Sequence, residues 1–307
     1  MAQARSQAQT IFGLTHSLEL SQSIGFVTMA STASKDDMDT EVDNFTNDSA
    51  MMIAYERALE TDRPDSLIQD PFAKLLQGTK GHALSDAFDN NCSMFGFQGW
   101  PEFHKMWTAV RTKFIDDQLA KATADISQLV NLGAGLDTRR FRLDCYKSLT
   151  SVFEVDMPVI NDAKAKILEK LCATPLCEKS EIVSLDLLST EQSLKTELTA
   201  KGFDDQKPTV FVAEGLIMYL GDGAWKFLTD VKDISCDGSV LVLNFMDGGA
   251  HTPTGPNEAR LREHFGESWD FEFYKYGEDG LNFGRYDTGK FPPSAAFSFM
   301  VARKKCS

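Results

Sequence analysis

Two glycines and three acids, placed at the ends of apolar runs, carry the chemistry most legible in this chain. Leu129 to Leu132 reads as a short strand running directly into Gly133-Ala134-Gly135. Glycines at i and i+2 let the backbone turn tightly and approach a ligand with no Cβ in the way. A dinucleotide turn needs a third glycine three positions further on, and there this chain has Thr138. Residues 151–156 form a second β-branched, apolar run closing on Asp156, 21 residues after Gly135. In a βαβ unit an acid about 20 residues on reaches a ribose hydroxyl. A third run, 181–188, carries Asp186 followed by Leu187, and a fourth, 208–215, ends in Glu214-Gly215. Ligands of open parallel sheets bind outside the carboxyl ends of the strands, so the series describes one cleft for a nucleotide-like ligand. Any one of these acids has a plainer use as a cap on the following helix. That use does not account for the whole series.

The elements that must position these residues follow from periodicity. Residues 49–60 and 70–76 are short helical patterns, with Arg63-Pro64-Asp65 as the turn between them. Residues 103–121 form a longer helix, with Phe103, Met106, Trp107, Val110, Phe114, Ile115 and Leu119 recurring at three and four. Strands then alternate with helices at 158–172, 191–201 and 223–234, and a fifth strand spans 239–245. Such alternation means a parallel sheet with helices on both faces. The final runs, 269–276 and 296–303, lack a convincing helix between them and suit an antiparallel pair at the sheet edge. The expected fold is α/β, a doubly wound, mostly parallel Rossmann-like sheet with an antiparallel C-terminal edge and extra N-terminal helices. Residues 49–307 form one domain in this reading, with 49–125 as a helical cap and 126–307 as the sheet core.

Residues 1–48 differ in character. Up to Ser34 there are one acid, Glu19, one base, Arg5, and many serines and threonines, after which Asp36, Asp37, Asp39, Glu41 and Asp43 crowd together. The composition predicts a tail without packed structure. An organellar targeting segment is the alternative, although arginine is scarce for one; Met29 is an alternative start.

Several motifs in order resemble the leucine carboxyl methyltransferase family. They are Leu-Gly-Ala-Gly-Leu-Asp-Thr-Arg from Leu132, Phe-Glu-Val-Asp-Met-Pro from Phe153, Asp-Leu-Leu from Asp186, and Ala-Glu-Gly-Leu-Ile-Met-Tyr-Leu from Ala213. Upstream, the likeness takes in Tyr55 to Ala73 and Val110 to Asp117, and more loosely it extends into the C-terminal region, so it spans roughly residues 50 to 305. The resemblance implies a class I methyltransferase fold, S-adenosylmethionine as cofactor and a carboxylate as methyl acceptor. It implies that Arg111 pairs with the methionyl carboxylate and that Gly133 and Gly135 hug the methionyl chain. Asp156 would take the ribose hydroxyls, Asp186 the adenine amine with Leu187 beside the ring, and Glu214 would sit beneath the amine or sulfonium end. Asp137 and Thr138 read instead as caps of the helix after the turn. A surface arginine pairing with Asp116 is the plainer use of Arg111.

A carboxylate acceptor has a pKa near 4 and is ionised at pH 7, so it needs no general base. No catalytic residue is assigned. A phenol or alcohol would need a base, and His104, on the helix of Arg111, or Tyr219 would be the first to test. The acceptor is a small molecule or a protein C-terminus in this reading, with the sequence closer to the small-molecule branch. Its pocket is expected between the N-terminal helices and the stretch 247–286, where Phe265, Trp269, Phe271, Phe273, Tyr274, Tyr276, Phe283 and Tyr286 gather; the loop 91–101 is a second candidate lid. Core packing explains the same aromatics.

Net charge is −14, which disfavours phosphate backbones and anionic membranes. Arg139-Arg140-x-Arg142 is the sole basic cluster in view, and helix-surface salt bridges are its expected use. Cys92, Cys145, Cys172, Cys177, Cys236 and Cys306 show no zinc spacing, so no metal is expected. No apolar run of about 18 residues is present, and a cytoplasmic protein is expected. Two other functions stay open: a nicotinamide-dependent oxidoreductase, against which the missing third glycine counts, and a non-catalytic S-adenosylmethionine-binding protein, against which the retained charges count.

Overall fold

A computed structural model describes residues 35–247 and 255–306. Its centre is a seven-stranded sheet in the order β3-β2-β1-β4-β5-β7-β6. The strands are β1 (Gln128–Leu132), β2 (Ser151–Asp156), β3 (Ser180–Ser184), β4 (Thr209–Ala213), β5 (Val240–Phe245), β6 (Trp269–Tyr276) and β7 (Ser294–Lys304). Strands β1 to β5 are parallel, and β7 inserts antiparallel between β5 and β6. All seven strands lie where the alternation placed them. The strand order reverses between β1 and β4, so the Gly133 turn and Glu214 flank the switch point at which open sheets bind ligands.

The helices are α1 (Lys35–Thr61), α2 (Ala73–Leu76), α3 (Gly81–Asn90), α4 (Phe103–Ala122), α5 (Arg139–Arg142), α6 (Pro158–Lys170), α7 (Leu194–Ala200), α8 (Ala224–Ile234) and α9 (Glu258–Phe265). One sheet face, with Val130, Phe153, Phe211 and Leu241 in register, packs on α7, α8 and α9. The other face, with Leu129, Val210, Val212 and Val242, packs on α4. Residues on one face of a strand recur every second position. Leu129 is therefore followed on its face by Asn131, and Val242 by Asn244. A polar layer tops the apolar face that α4 covers.

α4 is not a surface helix. Its apolar stripe faces the sheet, but His104, Thr108, Arg111, Thr112 and Asp116 are buried as well, because α1 covers the outer side. Arg111 and Asp116 of that buried stripe meet residues past the C-terminal ends of the strands, Glu214 and Arg139, whereas His104 and Thr108 bond Glu56 of α1. α1 begins at Lys35, 14 residues before the start read from periodicity at 49. Between Lys35 and Thr61 the chain has no proline or glycine to break a helix. Residues 1–34, which hold most of the expected tail, lie outside the described residues. No helix among the described residues is long and apolar enough to cross a membrane.

The helical cap is riveted to the glycine turn by Asp70. Its carboxylate accepts Arg57 Nε at 2.9 Å, Thr138 Oγ1 at 2.7 Å and the backbone N–H groups of Phe72 and Ala73 at 3.1 Å. Arg57 also donates to the Leu136 carbonyl at 2.7 Å. Three segments far apart in sequence thus share one buried ion pair. Replacing Asp70 with alanine leaves Arg57 buried and unpaired, so we expect a loss of about 3–5 kcal/mol in urea unfolding. A loss below about 1 kcal/mol would show that the cap is held elsewhere.

Candidate active site

The glycine turn leaves β1 with Gly133 at φ +65° and Gly135 at φ +45°. The positive φ favours glycine at 133, and a Cβ there would also push on Leu216 Cδ1, 2.8 Å away. Gly133 N and Ala134 N donate to the Val155 carbonyl of β2 at 2.8 and 3.0 Å. Asp156 closes the turn from below. Its Oδ2 accepts Gly135 N at 2.6 Å and its Oδ1 accepts Met157 N at 2.7 Å. Burial raises the Asp156 pKa above its ordinary value against these two bonds. The acid is half-buried, and each oxygen keeps a lone pair for a ligand. Asp186 lies two residues past β3, where its Oδ1 accepts Leu188 N at 2.9 Å. Leu187 packs on the core beside it.

Glu214, one residue past β4, is shared by two arginines. Its Oε1 accepts Arg111 Nε at 2.7 Å, and its Oε2 lies 2.6 Å from Arg139 Nη1. Burial alone would raise the Glu214 pKa; Arg139 first and Arg111 second outweigh it and hold it down to about 2. Arg139 is buried among three acids. Its Nε donates to Asp116 Oδ1 at 2.5 Å and its Nη1 to Asp137 Oδ2 at 2.6 Å. Asp116 is held in turn by Arg142 Nη1 at 2.8 Å, and Arg142 Nε lies 3.8 Å from Asp70. Arg57, Asp70, Arg142, Asp116, Arg139, Asp137, Glu214 and Arg111 therefore form one continuous run of four guanidiniums and four carboxylates.

Three expectations are corrected here. Arg139, Arg140 and Arg142 do form ion pairs, but inside the protein rather than on a helix surface: Arg139 is 2% exposed. Their guanidiniums turn inward to Asp116, Glu154 and Glu214. Arg111 pairs with Glu214 rather than with Asp116, because Arg139 and Arg142 claim Asp116. Asp137 caps α5 through Arg139 N at 2.7 Å, as read, whereas the Thr138 hydroxyl turns away to Asp70. The sequence signal for the cluster was present in three arginines within four residues of an acidic chain, but the two acids that tie Arg139 to α4 and β4, Asp116 and Glu214, lie more than 20 residues from it.

Of the candidate bases, His104 is buried, with Nδ1 at 2.9 Å from both Glu56 oxygens; Ser85 and Thr108 also donate to that carboxylate. Tyr219 bonds Ser49, and burial raises its phenol further from neutrality. Among the expected lid aromatics, Phe265, Trp269, Tyr276 and Tyr286 are core residues. Tyr276 stacks with Trp100 of the loop 91–101 and Tyr286 meets the same ring edge-on, and Arg285 beside it pairs with Glu60 at 2.9 Å. Asn244, unremarked in the sequence, accepts Gly215 N at 2.7 Å beside Arg111.

Residues 50–230 match the leucine carboxyl methyltransferase family. A relative from Parafrankia sp., assigned as an S-adenosyl-L-methionine-dependent methyltransferase, is 37% identical over 236 residues, 76% of this chain and 73% of its own. The chain belongs to the leucine carboxyl methyltransferase family. A second relative so assigned, from Mycolicibacterium paratuberculosis, is 32% identical over 209 residues, 67% of each chain. The fold recurs in a DUF574 family protein from Streptomyces avermitilis, with a TM-score of 0.52 at 12% identity over 84% of this chain and 97% of that one. It recurs also in a methyltransferase from Thermobifida fusca, with a TM-score of 0.50 at 19% identity over 74% and 89%. The protein is thus an S-adenosylmethionine-dependent methyltransferase, and the nicotinamide reading falls away.

The site's electrostatics give a stability prediction for this methyltransferase. Glu214 titrates lower folded than unfolded, so its contribution is complete above the ordinary glutamate value of about 4.3 and is lost as pH falls through about 2. We expect Glu214→Gln to cost about 3 kcal/mol in urea unfolding at pH 7 and clearly less at pH 3. An equal difference at both pH values would contradict the ion-pair assignment.

Proposed function

We propose that this methyltransferase transfers the methyl group to a carboxylate oxygen, on a small-molecule acceptor or a protein C-terminus. The observation that carries the reading is the state of the candidate bases. His104 is held by Glu56, and Tyr219 is pushed away from neutrality. A site so furnished suits a nucleophile already ionised at pH 7. Methyl transfer is an in-line displacement, so alignment and exclusion of water are the main requirements.

The residues at the strand ends fit the cofactor. Among the described residues, the outer nitrogens of Arg111, Nη1 and Nη2, make no hydrogen bond, which leaves a planar fork for the methionyl carboxylate. Gly133 and Gly135 supply a turn without side chains along the methionyl chain. Asp156 would accept the ribose hydroxyls and Asp186 the adenine amine, with Leu187 against the ring. Glu214 would face the amine end. The bound cofactor contributes an electrophilic methyl on a cationic sulfur. The ion-pair run is balanced in charge, which favours a ligand whose carboxylate arrives with its own cation.

Two measurements test this. Calorimetric titration with S-adenosylhomocysteine should give micromolar binding that Asp156→Ala weakens at least about tenfold. Because burial raises the Asp156 pKa, affinity should fall on acidification before ordinary aspartates titrate, and Asp156→Asn should remove that early limb. Binding unaffected by either change would remove Asp156 from the site. The acceptor class is tested by incubating the enzyme with a metabolite extract and methyl-labelled cofactor. Carboxyl methyl esters release volatile methanol in mild base; label that stays base-stable in every product would refute the carboxylate assignment.

A further inference from the structure

Arg111 can present its outer nitrogens to a ligand only if Glu214 does not chelate them. A carboxylate with both oxygens free meets a guanidinium through two parallel bonds. Glu214 does not do so here, because its second oxygen is 2.6 Å from Arg139 Nη1. One oxygen remains for Arg111, and it takes Nε, the nitrogen nearest the chain, at 2.7 Å. Gly215 leaves the outer side open: a Cβ built there would be in van der Waals contact with Arg111 Nη1, at 3.5 Å.

Arg139 is itself held still. Its Nε is bound to Asp116 and its Nη1 also to Asp137, both within 2.6 Å, and it is buried at 2% exposure. Arg142 secures Asp116 from the far side. The arrangement cannot be a solvated salt bridge with a choice of partners. Every acid near Arg139 has its place fixed by a second group: Asp116 by Arg142, Asp137 by Asn131 Nδ2 at 3.0 Å, and Glu214 by Arg111.

We propose that Arg139 is a positioning residue for cofactor recognition. By occupying the second oxygen of Glu214, it restricts that carboxylate to Arg111 Nε and leaves the outer fork of Arg111 free to read the carboxylate of the methionyl moiety. Arg139 touches no ligand. It acts through Glu214, and the inference rests on the assignment of the methionyl carboxylate to Arg111.

The test compares two probes that differ only in that carboxylate, S-adenosylhomocysteine and its decarboxylated analogue, S-adenosyl-3-thiopropylamine. The readout is the ratio of their dissociation constants, measured by calorimetry. A structural defect lowers the fraction of competent protein or weakens both ligands together, and leaves the ratio in place. The wild type should favour the carboxylate-bearing ligand at least about tenfold, the worth of a charge-assisted bond. Arg139→Gln should bring the ratio close to one, through weaker binding of S-adenosylhomocysteine alone. Arg139→Lys should retain part of it, since an ammonium reaches Glu214 but lacks the fork that spans Asp116 and Asp137 as well. If Arg139→Gln does not fold, the pair Arg139→Gln with Asp116→Asn removes one charge of each sign and carries the same expectation. A ratio unchanged from wild type in the Arg139 variants overturns the inference while leaving Arg111 as the carboxylate reader. A ratio of one in the wild type removes that reader, and the inference with it.

Discussion

One carboxylate shared between two guanidiniums organises the active end of this protein. Glu214 sits past β4, Arg111 descends from α4 and Arg139 rises from the short α5; no two of them come from the same element. A buried charge is costly unless it is paired and hydrogen-bonded. Each of these three groups therefore constrains the placement of the other two. The condition propagates through Asp116 and Arg142 to Asp70 and Arg57, so that α1, α2, the glycine turn, α4 and β4 meet in one ionic framework. Its charges balance, which lets it persist away from water without a counter-ion.

Buried ion pairs contribute less to stability than their number suggests, since desolvation offsets much of the attraction. What they supply here is geometry. Apolar packing beneath, through Leu129, Val210, Val212 and Val242 against Trp107 and Val110, sets the height of α4 over the sheet. The ionic layer above it sets the direction in which Arg111 points. A cofactor site that discriminates through a planar fork needs its guanidinium aimed before the ligand arrives, because a long side chain left free would lose rotamer freedom on binding. The polar residues at the strand ends, Asn131, Glu214 and Asn244, mark the transition between the two layers.

Much of this was legible in the chain, for physical reasons. Strands read clearly because parallel strands covered on both faces are near-continuous apolar runs, and here the first four each run on to a glycine or an acid. The glycine turn read clearly because positive φ at Gly133 and Gly135 demands that residue type. α3 and α9 were not read, since Gly81–Asn90 and Glu258–Phe265 are short and carry few apolar residues each. The partners of Arg139 were not read because ion pairing leaves no periodic trace: Asp116 lies 23 residues before it and Glu214 far beyond it. The aromatics of the C-terminal stretch looked like a lid because composition cannot separate a lid from a core. Tyr276 and Tyr286 owe their burial to Trp100 and Trp107, which come from elsewhere in the chain.

The most direct measurement is a crystal structure of the protein with S-adenosylhomocysteine bound. The methionyl carboxylate should lie at hydrogen-bond distance, about 2.7–2.9 Å, from Arg111 Nη1 and Nη2, with Glu214 still bridging Arg111 Nε and Arg139. A ligand carboxylate bound elsewhere, or a Glu214 that leaves Arg139 when the ligand arrives, would contradict this arrangement.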